Sequence, residues 1–141
     1  MWNPFTENRR RWLWPFAIAG LIFFASSQSK LAGPSIPGID KVVHFSVYGL
    51  LATFVVRLGN KPRSAWIALV LVSAYGMSDE WHQSFTPGRS VELADWLADT
   101  SGAAMAIVMY RTWTAYRCWL EMPLARKRRI ENAVSVATMA S

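Results

Sequence analysis

VVHFSVYGLLATFVVRL, residues 42–58, is one of two stretches of this chain that approach the length of a membrane-crossing helix. A hydrocarbon core of roughly 30 Å takes about 20 helical residues to cross. Upstream, Trp12–Ser27 (WLWPFAIAGLIFFASS) is the other such stretch. Downstream, Ala65–Ser78 (AWIALVLVSAYGMS) and Gly102–Tyr110 (GAAMAIVMY) are apolar over too short a distance. Each reaches span length only by taking in charged neighbours, DEWHQSF after the third block and VELADWLADTS before the fourth. The pattern predicts an all-α fold: an integral membrane four-helix bundle in one domain, residues 1–122, with spans near 12–28, 42–58, 65–84 and 91–111 and a basic tail at 123–141.

Composition supports gathered rather than scattered apolar residues. Of 141 residues, 52% are hydrophobic and only 17% charged, against roughly 25% charged in an average soluble domain. Mean hydropathy is +0.16, too low for a chain that is membrane span throughout. Disorder, collagen and coiled coil are excluded by the apolar content and the absence of a G-X-Y or heptad repeat. Cys118 is the single cysteine, so no internal disulfide is available.

Charge sorts by side. Four helices with an inside amino terminus place Arg9, Arg10, Arg11, Arg57, Lys61, Arg63, Arg111, Arg117, Arg126, Lys127, Arg128 and Arg129 in the cytoplasm, and Lys30, Lys41 and Arg89 outside. Asp40, Asp79, Glu80, Glu92, Asp95 and Asp99 fall at or above the outer halves of the helices. Both termini are therefore expected to be cytoplasmic. The net charge of +6 is positive-inside signal rather than a nucleic-acid surface, because no basic stripe is interleaved with stacking aromatics. The run ARKRR is read as a topology anchor in preference to a site for anionic headgroups of the membrane lipid, the lipid itself being an expected partner. Arg9–Arg11 ahead of a short apolar stretch and FFASSQS also has the shape of a cleavable signal. Its removal would leave three spans and require the rest to invert, so the block is expected to remain as a span.

Between the blocks, SKLAGPSIPGID reads as an outer loop ending at Asp40, an N-cap for the second helix. GNKPRS reads as an inner turn. TPGRS ends the third helix, with Ser90 placed to cap the fourth and Glu92 near its positive end.

Helical rise places the polar residues by height above the inner interface: His44 at about 21 Å, Asp79 at about 21 Å, Glu80 and Asp95 at about 22 Å, Asp99 at about 16 Å and Asp40 at about 27 Å. The pairs Asp40/His44, His44/Tyr48, Asp79/Gln83 and Asp95/Asp99 are four residues apart, so each helix carries a polar stripe. Taken singly, Asp40 is a cap, Tyr48 an interfacial aromatic, His44 a hydrogen-bonded core residue and Arg89 a snorkelling turn arginine. Together they share a level inside the outer half of a bilayer, where ionisable groups face a bundle interior or a water-filled cavity. The expectation is an outward-facing acidic pocket with Lys41 and Arg89 as its basic groups, Arg89 reaching a carboxylate of the third or fourth helix, and either a protonated acid or a bound cation completing the balance.

DKVVHFSVYGLL (Asp40–Leu51), DEWHQSFTPGRSVELADWLADTSG (Asp79–Gly102) and the SSQ at Ser26–Gln28 resemble the VanZ-like family, which takes its name from a teicoplanin-resistance protein. The matching positions are Asp40, Lys41, His44, Tyr48, Asp79, Glu80, Gln83, Phe85, Pro87, Gly88, Arg89, Asp95 and Gly102. Asp99 stands where asparagine is frequent, and His82 where an apolar residue is common. The resemblance implies a small multi-pass protein of the bacterial cell (inner) membrane, linked in one branch to antibiotic resistance at the outer membrane surface.

Two function classes stay open. One is a binding module whose pocket residues, Asp40, Lys41, His44, Tyr48, Asp79, Glu80, Gln83, Arg89, Asp95 and Asp99, take a lipid-linked cell-wall precursor, a glycolipid or a glycopeptide-type antibiotic. The other is an intramembrane hydrolase or transferase, with Glu80 as acid, Asp95 or Asp79 as base and His44 as proton relay. No cofactor is expected. A divalent metal at His44, Asp79 and Asp95, with His82 as a further ligand, is the alternative, without HExxH or CxxC spacing behind it. Ion translocation fits four helices without a repeat poorly. The sequence does not fix the oligomeric state.

Overall fold

A computed structural model describes residues 4–28, 38–59 and 61–121. The expected outer loop, 29–37, and basic tail, 123–141, lie outside the described residues. Four long α-helices follow one another: α1 (Pro4–Ser26), α2 (Ile39–Val56), α3 (Arg63–Gln83) and α4 (Leu93–Thr112), with a short α5 at 114–121. Among the described residues there is no strand, so the fold is all-α.

The chain divides into two compact parts, Met1–Ile107 and Val108–Ser141. In the first, α1, α2 and α3 pack pairwise on one another. Each helix buries a single stripe. On α3 it is Ala68, Val72, Gly76, Asp79, Glu80 and Gln83, and on α4 Asp95, Asp99, Gly102, Ala103 and Ile107. The stripe changes chemistry along its length. The end nearer the α2–α3 turn is aliphatic and small, with Leu51, Ala52, Val56, Ala68 and Val72 all buried, and the other end is carboxylates, an amide and Tyr48. Large apolar side chains instead cover the outside, among them Trp14, Phe16, Leu21, Phe24, Val70, Trp81 and Phe85. This inverts the usual partition of a water-soluble domain.

The crossing of α2 and α4 depends on glycine. Gly49 and Gly102 face each other, and a Cβ on Gly102 would run into the carbonyl of Phe45. Across α3 and α4, the Ser73 and Thr100 hydroxyls are 2.8 Å apart and Trp96 Nε1 donates to the carbonyl of Ser73. Tyr75 Oη donates to Ala19 O, tying α3 to α1.

Helix boundaries correct several expectations. α1 begins at Pro4, upstream of the apolar block, and runs through Pro15 without a break. Asp40 is not the cap of α2: Gly38, with φ 79°, occupies that place, and Asp40 lies in the first turn. Nor does Ser90 cap α4. The carbonyl of Glu92 accepts the N–H groups of Asp95 and Trp96, so the helix starts after Glu92. The TPGR turn is as expected, Arg89 N–H donating to Thr86 O at 3.1 Å across Pro87 and Gly88. Gly88 has φ 79°, which fits a type II turn with proline and glycine at its centre.

Among the described residues, α2 is the one helix of the four expected spans that is long and apolar enough to cross a membrane. The apolar part of α1, Arg11–Ser26, is shorter. α3 and α4 have the length, but both carry acids in the half that buries them. In the second part of the chain, Tyr110 Oη donates to Glu121 Oε1 at 3.2 Å, and the rings of Trp113 and Tyr116 stack 6.1 Å apart.

Candidate functional site

The polar end of the bundle gathers side chains from all four long helices. Lys41, in the first turn of α2, places Nζ 3.0 Å from Asp40 Oδ2, 2.9 Å from Glu92 Oε2 and 2.8 Å from Asp95 Oδ1. One turn further along α2, His44 Nδ1 lies 2.9 Å from Asp99 Oδ1. With Asp99 ionised, Nδ1 carries the hydrogen, and in a neutral imidazole Nε2 then presents its lone pair. Nε2 is 3.9 Å from Asp95 Oδ2. The next turn brings Tyr48, 1% exposed, its ring stacked on His44 at 6.2 Å. Asp40, His44 and Tyr48 thus share one face of α2, as their spacing predicts, with His44 meeting Asp99 of α4 and the Tyr48 ring lying against Tyr75 and Gly76 of α3.

α3 contributes two adjacent acids that serve different neighbours. Glu80 Oε2 accepts the backbone N–H of Glu92 at 2.8 Å, fixing the chain just before α4. Asp79 Oδ2 accepts from Ser26 Oγ at 2.8 Å and from Gln83 Nε2 at 3.0 Å. Gln83 Oε1 in turn accepts from Arg89 Nη1 at 3.1 Å. Thr86, beside this chain of bonds, donates to Ser26 O at 3.4 Å.

Among the described residues, several buried polar atoms have no hydrogen-bond partner: Tyr48 Oη, Asp79 Oδ1, Glu80 Oε1, Asp99 Oδ2 and Arg89 Nε. Asp99 is fully buried, and Asp79 and Glu80 are 3% exposed. A buried acceptor left unsatisfied costs about 1–3 kcal/mol, more if charged. Each of these three acids can be satisfied by an added donor, by a cation or by its own protonation.

A family model described as VanZ/LLP1 matches residues 2–114. The chain belongs to the VanZ/LLP1 family. No curated protein matches it, and no solved structure does. The resemblance carried by DKVVHFSVYGLL and the DEWHQSFTPGR segment therefore holds over most of the chain.

In this VanZ/LLP1 protein, Asp40, Lys41, His44, Tyr48, Asp95 and Asp99 are linked across α2 and α4 through Lys41 and His44, and Glu80 of α3 joins them through the backbone of Glu92. Asp79, Gln83 and Arg89 form a second string toward α1. Arg89 corrects an expectation: among the described residues its guanidinium meets the amide of Gln83, not a carboxylate of α3 or α4. Asp79 is drawn toward Ser26, while one ligand-type atom each of His44, Glu80 and Asp95 lies within 4.8 Å of the others. His82 is outside this group, its ring 4.3 Å from Phe23 and its Nε2 3.0 Å from Ser27 Oγ.

Two residues have more to do than sequence reasoning gave them. Glu92, read only as favourable to a helix dipole, binds Lys41 through its side chain and Glu80 through its backbone. Ser26 holds Asp79. Its place in the SSQ segment was the available signal, but nothing in the spacing says which helix Asp79 faces.

Proposed function

We propose that this VanZ/LLP1 protein is a multi-pass protein of the bacterial cell membrane, with four spans and both termini cytoplasmic. Its polar cluster, in the outer half of the bilayer, binds the polar head of a cell-envelope ligand: a lipid-linked precursor, a glycolipid or a glycopeptide-type antibiotic. The observation behind this reading is the set of buried, unpartnered oxygens on Tyr48, Asp79, Glu80 and Asp99, contributed by three helices. Six acids stand against Lys41, Arg89 and His44 there, so the cluster suits a ligand that brings donors or positive charge. The apolar exterior, with Trp81 and Phe85 exposed next to the TPGR turn, suits a lipid-attached ligand arriving from the membrane.

Melting of the purified protein in detergent tests it, with teicoplanin and a short-chain polyprenyl diphosphate as probes. A probe-dependent rise in melting temperature that disappears in Asp79→Asn is the expected result. No shift with either probe at saturating concentration overturns the ligand reading.

A second reading, an intramembrane hydrolase or transferase, is favoured by one feature. His44 is oriented by buried Asp99 and offers Nε2 on the side of Asp95, the arrangement of an oriented general base. Product formation from the same polyprenyl diphosphate, abolished in His44→Gln, separates catalysis from binding alone.

A further inference from the structure

His44, Glu80 and Asp95 come from α2, α3 and α4, and each has one polar atom held and one left over. His44 Nδ1 is held by Asp99 Oδ1, which leaves Nε2. Glu80 Oε2 is held by the N–H of Glu92, which leaves Oε1, buried and without a partner. Asp95 Oδ1 is held by Lys41 Nζ, which leaves Oδ2 at 3.9 Å from His44 Nε2. Ligand-type atoms of the three side chains lie within 4.8 Å of one another, and Glu80 and Asp95 are 3% and 7% exposed.

We propose that His44, Glu80 and Asp95 bind one divalent transition-metal ion, with zinc the best fit. Two ligands each about 2.1 Å from a tetrahedral ion are roughly 3.4 Å apart. The 3.9 Å between Nε2 and Oδ2 is too long for a hydrogen bond and closes to that value with a small side-chain shift. An imidazole among the donors disfavours calcium and magnesium, which take oxygen ligands, and a nitrogen with two carboxylates suits zinc and then manganese. Asp99 is the carboxylate that fixes the tautomer of a metal-bound histidine, and Lys41 and the Glu92 N–H orient the two acids in the same way. The ion offsets two buried negative charges, and three protein ligands leave a coordination position for water or for an anionic group such as a phosphate. The proposal shares residues with the ligand site above but needs neither that ligand nor the membrane topology.

The test uses the full chain in detergent, stripped with chelator and titrated with Zn2+ alone, and with Co2+ as an absorption probe. One Zn2+ per chain is expected, with a dissociation constant of about 1 µM or tighter, a raised melting temperature and visible Co2+ bands. Glu80→Gln and His44→Gln weaken binding by about 100-fold, and Asp99→Asn by roughly 10- to 100-fold. His82→Gln, at a ring that lies against Phe23 and Ser27 outside the three ligands, changes metal affinity by less than about threefold. Circular dichroism and gel filtration identify any variant that does not fold. If Glu80→Gln is one, the wild-type Co2+ spectrum and His44→Gln decide. Absence of Zn2+ binding to the wild type at about 0.1 mM, or equal affinity in the folded ligand variants, overturns the proposal. Metal binding without any response to teicoplanin or to polyprenyl diphosphate overturns only the ligand reading, so the two failures are distinguishable.

Discussion

Asp79 and Glu80 are consecutive on α3, yet Asp79 accepts a hydrogen bond from Ser26 of α1 while Glu80 accepts one from the backbone of Glu92 at the start of α4. Successive helical residues point about 100° apart, so adjacent acids can address helices on two sides of α3. This pair ties α3 to its neighbours on both sides at the polar end.

Asp79→Ala removes the acceptor of both Ser26 Oγ and Gln83 Nε2 and should destabilise the fold by about 2–3 kcal/mol. Ser26→Ala alone should cost about 1 kcal/mol. Because the two share one bond, the double variant should fall short of the sum by about 0.5 kcal/mol or more in denaturant unfolding. Strict additivity would remove Ser26 as the partner that matters.

The two glycines Gly20 and Gly102 should respond to alanine with opposite signs. Nothing lies within 4 Å of a Cβ built on Gly20, so Gly20→Ala should stabilise α1 by about 0.5–1 kcal/mol through helix propensity. At Gly102 the new carbon meets the backbone of Phe45, which no rotamer change relieves. Gly102→Ala should therefore cost about 2–3 kcal/mol by forcing α2 and α4 apart. Equal melting temperatures for the two variants would contradict this helix crossing.

Apolar runs made the four long helices legible, and i, i+4 spacing put His44 with Asp40 and Tyr48 on one stripe of α2 and Asp95 with Asp99 on one stripe of α4, because both are periodic properties of one helix. What depended on geometry between elements was not. Asp40 and Ser90 are good capping residues by type, but a left-handed Gly38 and the two bonds accepted by the Glu92 carbonyl set the actual starts. The helix at 114–121 follows Trp113 with no apolar run to announce it. Which acid faces which helix, and the Gln83 amide between Arg89 and Asp79, follow from how α3 is rotated, and a single sequence carries no record of that.

Arg89 should be less critical than a buried ion pair. It is part-buried and makes one bond to a neutral amide, so Arg89→Ala should cost about 1–2 kcal/mol. A variant that strands a buried carboxylate would cost about 3–5 kcal/mol. Gln83→Ala should show coupling with Arg89→Ala in unfolding. A loss above the ion-pair range would point to a carboxylate partner instead.

Lys41 joins three carboxylates at 2.8–3.0 Å. Lys41→Met leaves Asp40, Glu92 and Asp95 facing one another without their cation, and the melting temperature should drop. The site is partly open, so salt should screen that repulsion. Raising ionic strength should recover more stability in Lys41→Met than in the wild type, and equal salt responses would show that the three acids do not repel through this gap.

The proposed orientation rests on the distribution of basic residues. The four-span reading assigns Arg9–Arg11, the Arg57–Arg63 turn and the run Arg126–Arg129 to one side, and Lys30, Lys41 and Arg89 to the other. Short loops rich in lysine and arginine stay in the cytoplasm, and acids contribute little to that choice. Both termini and the Lys61 turn should then be cytoplasmic, with Gly88 external. A fluorescent reporter fused after residue 122 should fold and emit, and a phosphatase inserted at Gly88 should be active. The acid cluster sits at the Gly88 end of α3, so it shares that side. An active phosphatase at the carboxyl end with a silent one at Gly88 would reverse the orientation, and the cluster would then meet cytoplasmic rather than envelope ligands.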